Sequence, residues 1–152
     1  MRNVKSVTWW VCDLVNLRIR RVVETALDCE DLARSAAFYI ALFNTTPMVS
    51  GDRLVAIDAG QGTVLLLFQR GLSAEPMETP GGIVPPHDPG GPGHVAFAID
   101  AVDVPGWEAR LAELGIAIES RMRWPRGGFS LYFRDPDNCL VELATPGIWP
   151  SY

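Results

Sequence analysis

The sequence predicts an α+β fold made of two copies of one unit, in which a strand and a helix are followed by three strands. A strand pattern leading into a helix pattern occurs twice, in "ETALDCEDLARSAAFYIALF" (24–43) and in "HVAFAIDAVDVPGWEARLAELG" (94–115). Each copy ends in two strand patterns around a turn, at 54–71 and at 130–147. Neither unit could bury its sheet alone, so we expect the two to pair about a pseudo-twofold axis.

The elements of the two units align residue by residue. In the first strand Leu27 and Cys29 share one face and Glu24 takes the other; in the matching strand His94 takes the place of Glu24. Asp31 is expected to cap the first helix, and Gly115 to end the second. The spacing from Val55 to Leu66 equals that from Leu131 to Glu142, and each unit has room for one more strand, at 46–50 and 116–124.

These patterns divide the chain into five parts. A segment rich in proline and glycine separates the units and is expected to be a linker. The predicted parts are an N-terminal extension (1–21), a first βαβββ module (22–71), the linker (72–93), a second βαβββ module (94–149) and a tail (150–152).

Composition limits the classes of function. The 152 residues are 48% hydrophobic and carry a formal net charge of −5, with no long basic run, which argues against nucleic acid as a partner. Three cysteines without metal-binding spacing predict no disulfide framework and inert core thiols at Cys29 and Cys139. Neither a signal peptide nor a membrane-spanning run is recognised, so we expect a cytoplasmic protein without a membrane partner.

The repeat gives His94 two acidic companions. If both sheets curve around one cleft, Glu24, His94 and Glu142 occupy three of four equivalent positions on their inner faces, and Leu66 occupies the fourth. A carboxylate such as that of Glu142, within an apolar strand, is costly to bury without a positive partner. Glu142 therefore either faces solvent or meets a positive partner, and a divalent ion bound by Glu24, His94 and Glu142 would be that partner. Glu24 could equally be a surface acid.

Several segments together resemble a known family. "GHVAFAI", "LYFRDPDNCLVELATPG" and "DLARSAAFY", with the duplicated element order over 22–149, resemble the vicinal oxygen chelate superfamily. That group includes glyoxalase I, bleomycin-resistance proteins, fosfomycin-resistance enzymes and extradiol dioxygenases. The resemblance implies paired βαβββ modules with curled mixed sheets around a cleft, and one divalent metal ion. His94 and Glu142 match its ligand positions, and Glu24 stands where many members carry histidine.

Two departures from the family shape the expected chemistry. Glyoxalase I enzymes carry a glutamate near the position of Leu66, so a true glyoxalase I is not expected. Two carboxylates would leave the metal site formally neutral and favour harder ions. Mn, Fe and Mg therefore come first, with Zn, Ni and Co remaining open.

Further residues are candidates for contact with substrate. Tyr132 on the strand beside Glu142 could orient substrate or donate a proton, although it could equally fill the sheet surface. His87 on the linker is a second candidate for acid–base catalysis if the linker covers the cleft, and otherwise an exposed loop residue. The predicted substrate-binding residues are Arg123, Trp124 and Arg126 on a mobile loop, and Leu66 in the cleft.

Three functions are compatible with these features. The first is a metal-dependent enzyme that acts on a small oxygen-chelating substrate, its reaction being of lyase, isomerase, transferase or dioxygenase type. The second is a metal-free protein of the bleomycin-resistance kind that sequesters a small molecule or drug. The third is an assembly module with a vestigial site. In each case the open sheet edges predict a homodimer.

Overall fold

The predicted order of elements is present in both halves of the chain. The computed structural model describes residues 21–22, 24–79, 82–84, 86 and 90–150; His87, nearly all of the N-terminal extension and the last two residues of the tail lie outside them. The first unit contains β1 (Glu24–Cys29), α1 (Leu32–Phe43), β2 (Pro47–Ser50), β3 (Leu54–Asp58) and β4 (Val64–Gln69). The second contains β7 (His94–Ala98), a 3₁₀ turn (Ala101–Asp103), α2 (Val104–Glu113), β8 (Ser120–Arg123), β9 (Phe129–Arg134) and β10 (Leu140–Ala144).

The two main sheets have the same topology. Their strand orders are β1-β4-β3-β2 and β7-β10-β9-β8, with one parallel pair at the edge of each sheet and antiparallel pairs elsewhere. Leu66 pairs with Ala26 in the first sheet, and Glu142 pairs with Ala96 in the second. The α+β fold with two open mixed sheets is therefore confirmed, and the register reproduces the equivalence of Leu66 and Glu142.

The segment between the units is more structured than its composition predicts. Strands β5 (Met77–Thr79) and β6 (Gly82–Val84) form a short antiparallel pair inside the expected linker. Alternating residues around a turn can pair in this way even where proline is frequent on either side.

One hydrophobic core joins the two units. Leu27 and Leu67 of the first sheet lie in the same buried cluster as Val95 and Leu143 of the second. Helix α1 buries one face in this cluster, and its first turn is capped by the Asp31 carboxylate, which accepts a hydrogen bond from the Arg34 backbone N–H at 3.0 Å. This packing turns the sheet faces that carry Leu27 and Val95 inward and leaves Glu24 and His94 outside the core.

The turn between β9 and β10 fastens the second unit to α1 through two buried aspartates, which we call the acidic latch (Asp135 and Asp137). Asp137 accepts hydrogen bonds from the Glu30 backbone N–H at 2.7 Å and from the Ser35 hydroxyl, and it pairs with Arg34 at 3.3 Å. Asp135 accepts one from the Tyr39 hydroxyl at 2.9 Å. A turn that the sequence predicts is thus also a contact between the units.

Burial raises the pKa values of groups in and around the acidic latch. It raises the pKa of the Asp135 carboxyl, although hydrogen bonds to that carboxylate oppose the shift. Burial and the nearby Asp135 charge raise the pKa of the Tyr39 phenol far above its ordinary value. Burial also raises the pKa of the Cys29 thiol to about 12, and Cys29 and Cys139 are both fully buried free thiols.

The helices of the described residues are short. None of them has the length and hydrophobicity that a membrane-crossing helix requires.

Candidate metal centre

Strands β7 and β10 bring His94 and Glu142 together. The two strands are parallel neighbours, with His94 opposite Leu140 and Glu142 opposite Ala96. Nε2 of His94 lies 3.3 Å from Oε2 of Glu142. The Glu142 side chain is only 7% exposed and that of His94 is 49% exposed, so the pair is open to solvent on the histidine side.

The backbone determines which nitrogen of His94 carries a proton. Nδ1 lies 3.0 Å from the backbone oxygen of Leu140, and a carbonyl oxygen can only accept a hydrogen bond. Nδ1 must therefore be protonated, and in the neutral ring Nε2 presents a lone pair. Nε2 faces the Glu142 carboxylate, to which it can donate when it carries a proton and beside which its lone pair can bind a cation when it does not.

The second oxygen of Glu142 is occupied by side chains of β9. Oε1 accepts hydrogen bonds from the Ser130 hydroxyl at 2.5 Å and from the Tyr132 hydroxyl at 2.9 Å. Ser130 in turn accepts a hydrogen bond from the indole N–H of Trp124 at 2.8 Å. Burial and the bond to Glu142 raise the pKa of the Tyr132 phenol, so Tyr132 stays a hydrogen-bond donor at neutral pH.

The His94–Glu142 pair fits a divalent metal ion. Nitrogen and oxygen ligands lie about 2.0–2.2 Å from ions such as Zn²⁺. Two such ligands at tetrahedral or right angles are separated by roughly 3.0–3.4 Å, and the observed separation of Nε2 and Oε2 is 3.3 Å. The contact of Nδ1 with a backbone carbonyl is also typical of metal-ligating histidines.

The first sheet contributes no third ligand to this pair within one chain. Glu24 is exposed at the start of β1, opposite Val64, and Leu66 is half-buried beside Ala26. Among the described residues, no three His, Cys, Asp or Glu side chains are grouped closely enough to hold a metal ion. The structure therefore joins two of the three predicted ligands and leaves Glu24 apart from them.

The predicted substrate-binding arginines lie away from His94. Arg123 pairs with Phe129, whose ring it covers at 5.2 Å, and both line a groove of about 760 Å³ beside α2. This places Arg123 on the helix side of the sheet, opposite to Glu142. Arg126 is exposed in the turn that follows, so of this group only Trp124 reaches the Glu142 network.

The segment between β8 and β9 is a closed turn. The Trp124 backbone N–H donates to the Gly128 carbonyl at 2.8 Å, and the Gly128 N–H donates to the Gly147 carbonyl at 3.3 Å. A Cβ atom on Gly128 would lie 2.6 Å from the Gly147 carbonyl carbon, so glycine is required at this approach. The sequence predicts a mobile substrate-binding loop here. In the structure this segment is a turn that backbone hydrogen bonds close on itself and join to Gly147.

Sequence reasoning missed Ser130, which is completely buried against Glu142. Its position two residues before Tyr132 places both side chains on the same face of β9. That alternation was the available signal, but serine has no distinctive chemistry without a known neighbour.

Comparisons with known proteins agree with this fold. Residues 21–143 match the sequence model of the Glyoxalase/Bleomycin resistance protein/Dioxygenase superfamily. The metallothiol transferase FosB of Bacillus licheniformis is 27% identical, over 88% of this chain and 80% of the relative. The crystal structure of a lactoylglutathione lyase from Agrobacterium tumefaciens is 32% identical with a TM-score of 0.78, over 87% of this chain and 98% of that one. A glyoxalase/bleomycin resistance protein/dioxygenase from Nocardioides is 24% identical with a TM-score of 0.65, over 88% and 87% of the two chains, and shares the fold. The chain belongs to the glyoxalase/bleomycin resistance protein/dioxygenase superfamily.

Proposed function

We propose that the protein is a metal-dependent enzyme that acts on a small substrate with neighbouring oxygen atoms. One observation carries this proposal, namely the Nε2 atom of His94 lying 3.3 Å from Oε2 of a buried Glu142. A purely apolar binding cleft does not require a desolvated carboxylate beside an imidazole. The proposed ion is divalent, and its identity is part of the test below.

The names of two relatives support a reaction that involves a thiol. The FosB relative is called a metallothiol transferase, and the structural relative is called a lactoylglutathione lyase. Glutathione is itself a thiol. We propose that a thiol or its conjugate is one reactant, and that the reaction is a transfer or a lyase reaction at a carbon next to the chelated oxygen.

The side chains have separate tasks in this proposal. A bound divalent ion would act as a Lewis acid toward the substrate oxygen. His94 and Glu142 would hold it, and the small side chain of Ala96, which pairs with Glu142, leaves room beside the carboxylate. Tyr132 remains protonated and can turn its hydroxyl from Glu142 toward a substrate oxygen.

Glu24, the predicted third ligand, does not join His94 and Glu142 of its own chain, so at this site it would have to come from a second chain. We propose that a second copy of the chain supplies it, since the first sheet carries Glu24 at the position that His94 holds in the second. The expected homodimer then completes the metal centre as well as covering the open sheet edges.

Metal analysis tests this function most directly. Protein purified without added metal should carry about one divalent ion per chain, and a chelator should lower the melting temperature, because an ion bound only to the native state stabilises it. Elemental analysis and thermal melting before and after chelation are the measurements. If the purified protein contains no metal and chelator does not change its melting temperature, the sequestering function is favoured instead. The sequestering function is supported by the grouping of two candidate ligands, and not three, among the described residues.

Glyoxalase I activity should be weak, because Leu66 replaces the carboxylate expected at this position. Loss of a general base typically lowers a rate by about 10²- to 10⁴-fold. Turnover of the methylglyoxal–glutathione hemithioacetal with Ni²⁺, Zn²⁺ and Mn²⁺ measures it. Leu66 is half-buried and lies on the face of β4 opposite to the fully buried Leu65 and Leu67, so Leu66→Glu should fold. In the proposed homodimer the new carboxylate would lie on the same sheet face as the Glu24 that the second copy supplies, so it should tighten metal binding.

A carboxylate added away from β4 is the control for that variant. Val102 is 82% exposed in the 3₁₀ turn (Ala101–Asp103), so Val102→Glu should leave metal affinity and turnover unchanged. Strong turnover by the unmodified protein would contradict the assignment of Leu66.

A further inference from the structure

We propose that Ser130, held in place by Trp124 and assisted by Tyr132, determines which metal ion the site selects. These residues leave Glu142 only one oxygen with which to bind an ion. The inference rests on the proposed metal centre at His94 and Glu142, and it assigns to residues that do not touch the ion a role in metal selectivity.

The hydrogen bonds around Ser130 have a defined direction. An indole N–H can only donate, so at 2.8 Å the Ser130 oxygen is the acceptor of the bond from Trp124. The single hydroxyl proton of Ser130 is then available for Glu142, whose Oε1 lies 2.5 Å away. Trp124 therefore stabilises the one orientation in which Ser130 donates to the carboxylate.

Both acceptor positions on Oε1 are filled as a result. A carboxylate oxygen has about two lone-pair sites, and Oε1 receives the Ser130 and Tyr132 hydroxyls. Oε2 is the oxygen that faces Nε2 of His94. An ion beside His94 would thus meet a carboxylate prepared to bind through one oxygen and not through two.

This restriction separates classes of divalent ion. Ca²⁺ takes six to eight oxygen ligands and often binds a carboxylate through both oxygens, whereas smaller ions accept fewer ligands at shorter distances. One-oxygen binding by Glu142, together with an imidazole nitrogen, favours ions such as Mn²⁺ or Zn²⁺ over Ca²⁺. Releasing Oε1 should weaken that preference.

The experiment measures the dissociation constants of Mn²⁺ and of Ca²⁺ for the full metal-free chain by calorimetric titration. Ser130→Ala should lower the preference for Mn²⁺ over Ca²⁺ by about 10-fold or more, since residues that orient ligands typically change metal affinity by 10- to 100-fold. Ser130→Thr keeps the hydroxyl and should preserve the preference. Trp124→Phe keeps an aromatic ring but removes the N–H, and should reproduce part of the Ser130→Ala effect.

A double variant separates this role from a general structural one. Adding Trp124→Phe to Ser130→Ala should cause no further change, because Trp124 acts through the Ser130 hydroxyl. Trp149→Phe is the matched control, since Trp149 is 67% exposed, and it should leave both affinities unchanged. Melting curves of each metal-free variant establish that the fold is retained.

The possible failures are distinguishable. If the unmodified protein binds Mn²⁺ but Ser130→Ala leaves the Mn²⁺/Ca²⁺ preference intact, or weakens both ions equally, the selectivity role is wrong and the metal centre stands. If the unmodified protein binds neither Mn²⁺ nor Ca²⁺ in the titration, the selectivity role is wrong, and the metal centre is also wrong if elemental analysis finds no other divalent ion.

Discussion

Replacing Glu142 with glutamine should weaken binding of the divalent ion by more than about 100-fold, since loss of a ligand exceeds the effect of residues that merely orient one. The substitution removes the negative charge while keeping the size of a side chain whose surroundings are closely packed. The metal-free protein should not lose stability, because a buried carboxylate without a cation is itself costly. His94→Ala should cause a similar loss of metal. Titration with Mn²⁺ and melting with and without the ion measure both effects.

Two further variants sharpen this result. Glu113→Gln removes an exposed carboxylate at the end of α2 and should leave metal binding unchanged. If Glu24 acts in a second copy, Glu24→Gln and His94→Ala proteins should each bind poorly, yet regain part of their binding when unfolded and refolded together. Retention of full metal content by both the Glu142→Gln and the His94→Ala protein would overturn the site.

Loss of the acidic latch should destabilise the fold strongly. Asp137→Ala leaves the Glu30 N–H and the Ser35 hydroxyl without their acceptor and removes the partner of Arg34. Removing one member of a buried charged network typically costs about 3–5 kcal/mol. For a chain of this length that corresponds to a fall of roughly 6–20 °C in the melting temperature. Urea and thermal unfolding measure it; the exposed Asp52→Ala control should change stability little.

The other aspartate of the latch should give the protein a pH dependence. Because burial raises the folded-state pKa of Asp135 above the ordinary value of 3.8, its contribution to stability is complete below that pH and declines as the pH rises through the folded pKa. Asp135→Asn lacks this titration. The stability of the unmodified protein relative to the variant should therefore fall as the pH rises above about 4, in urea unfolding at several pH values. A constant or rising difference would show that the hydrogen bonds to Asp135 outweigh its burial.

The repeat and its register could be predicted because both depend on local periodicity. Alternation along β1 and β7 placed Glu24 and His94 on matching faces, and equal spacing placed Leu66 and Glu142 at matching positions. Side chains along a strand point alternately to the two faces of the sheet, so the register between strands determines which side chains share a face. The proximity of His94 and Glu142 followed from this argument.

The remaining features depend on tertiary contacts that sequence patterns do not encode. Arg123 was expected to bind substrate from a mobile loop, whereas in the structure it packs on Phe129 on the helix side, because neighbouring strand residues point to opposite faces. Glu24 and His94 share a symmetry position, but equivalent positions in two sheets need not meet within one chain. The latch escaped prediction because aspartates in a turn do not reveal a partner helix far away in sequence.

The acidic latch also sets a condition on folding during synthesis. The Glu30 N–H finds its acceptor in Asp137, 107 residues later, and the Tyr39 hydroxyl finds Asp135, 96 residues later. When the first unit leaves the ribosome, the start of α1 therefore lacks acceptors that nearly the whole remaining chain must be translated to supply. Domains usually fold as they emerge, N-terminal part first, and contacts of such long range are slow to form. We therefore expect that the first unit does not fold as an independent nascent domain, and that its apolar surfaces stay exposed until the second unit has been translated.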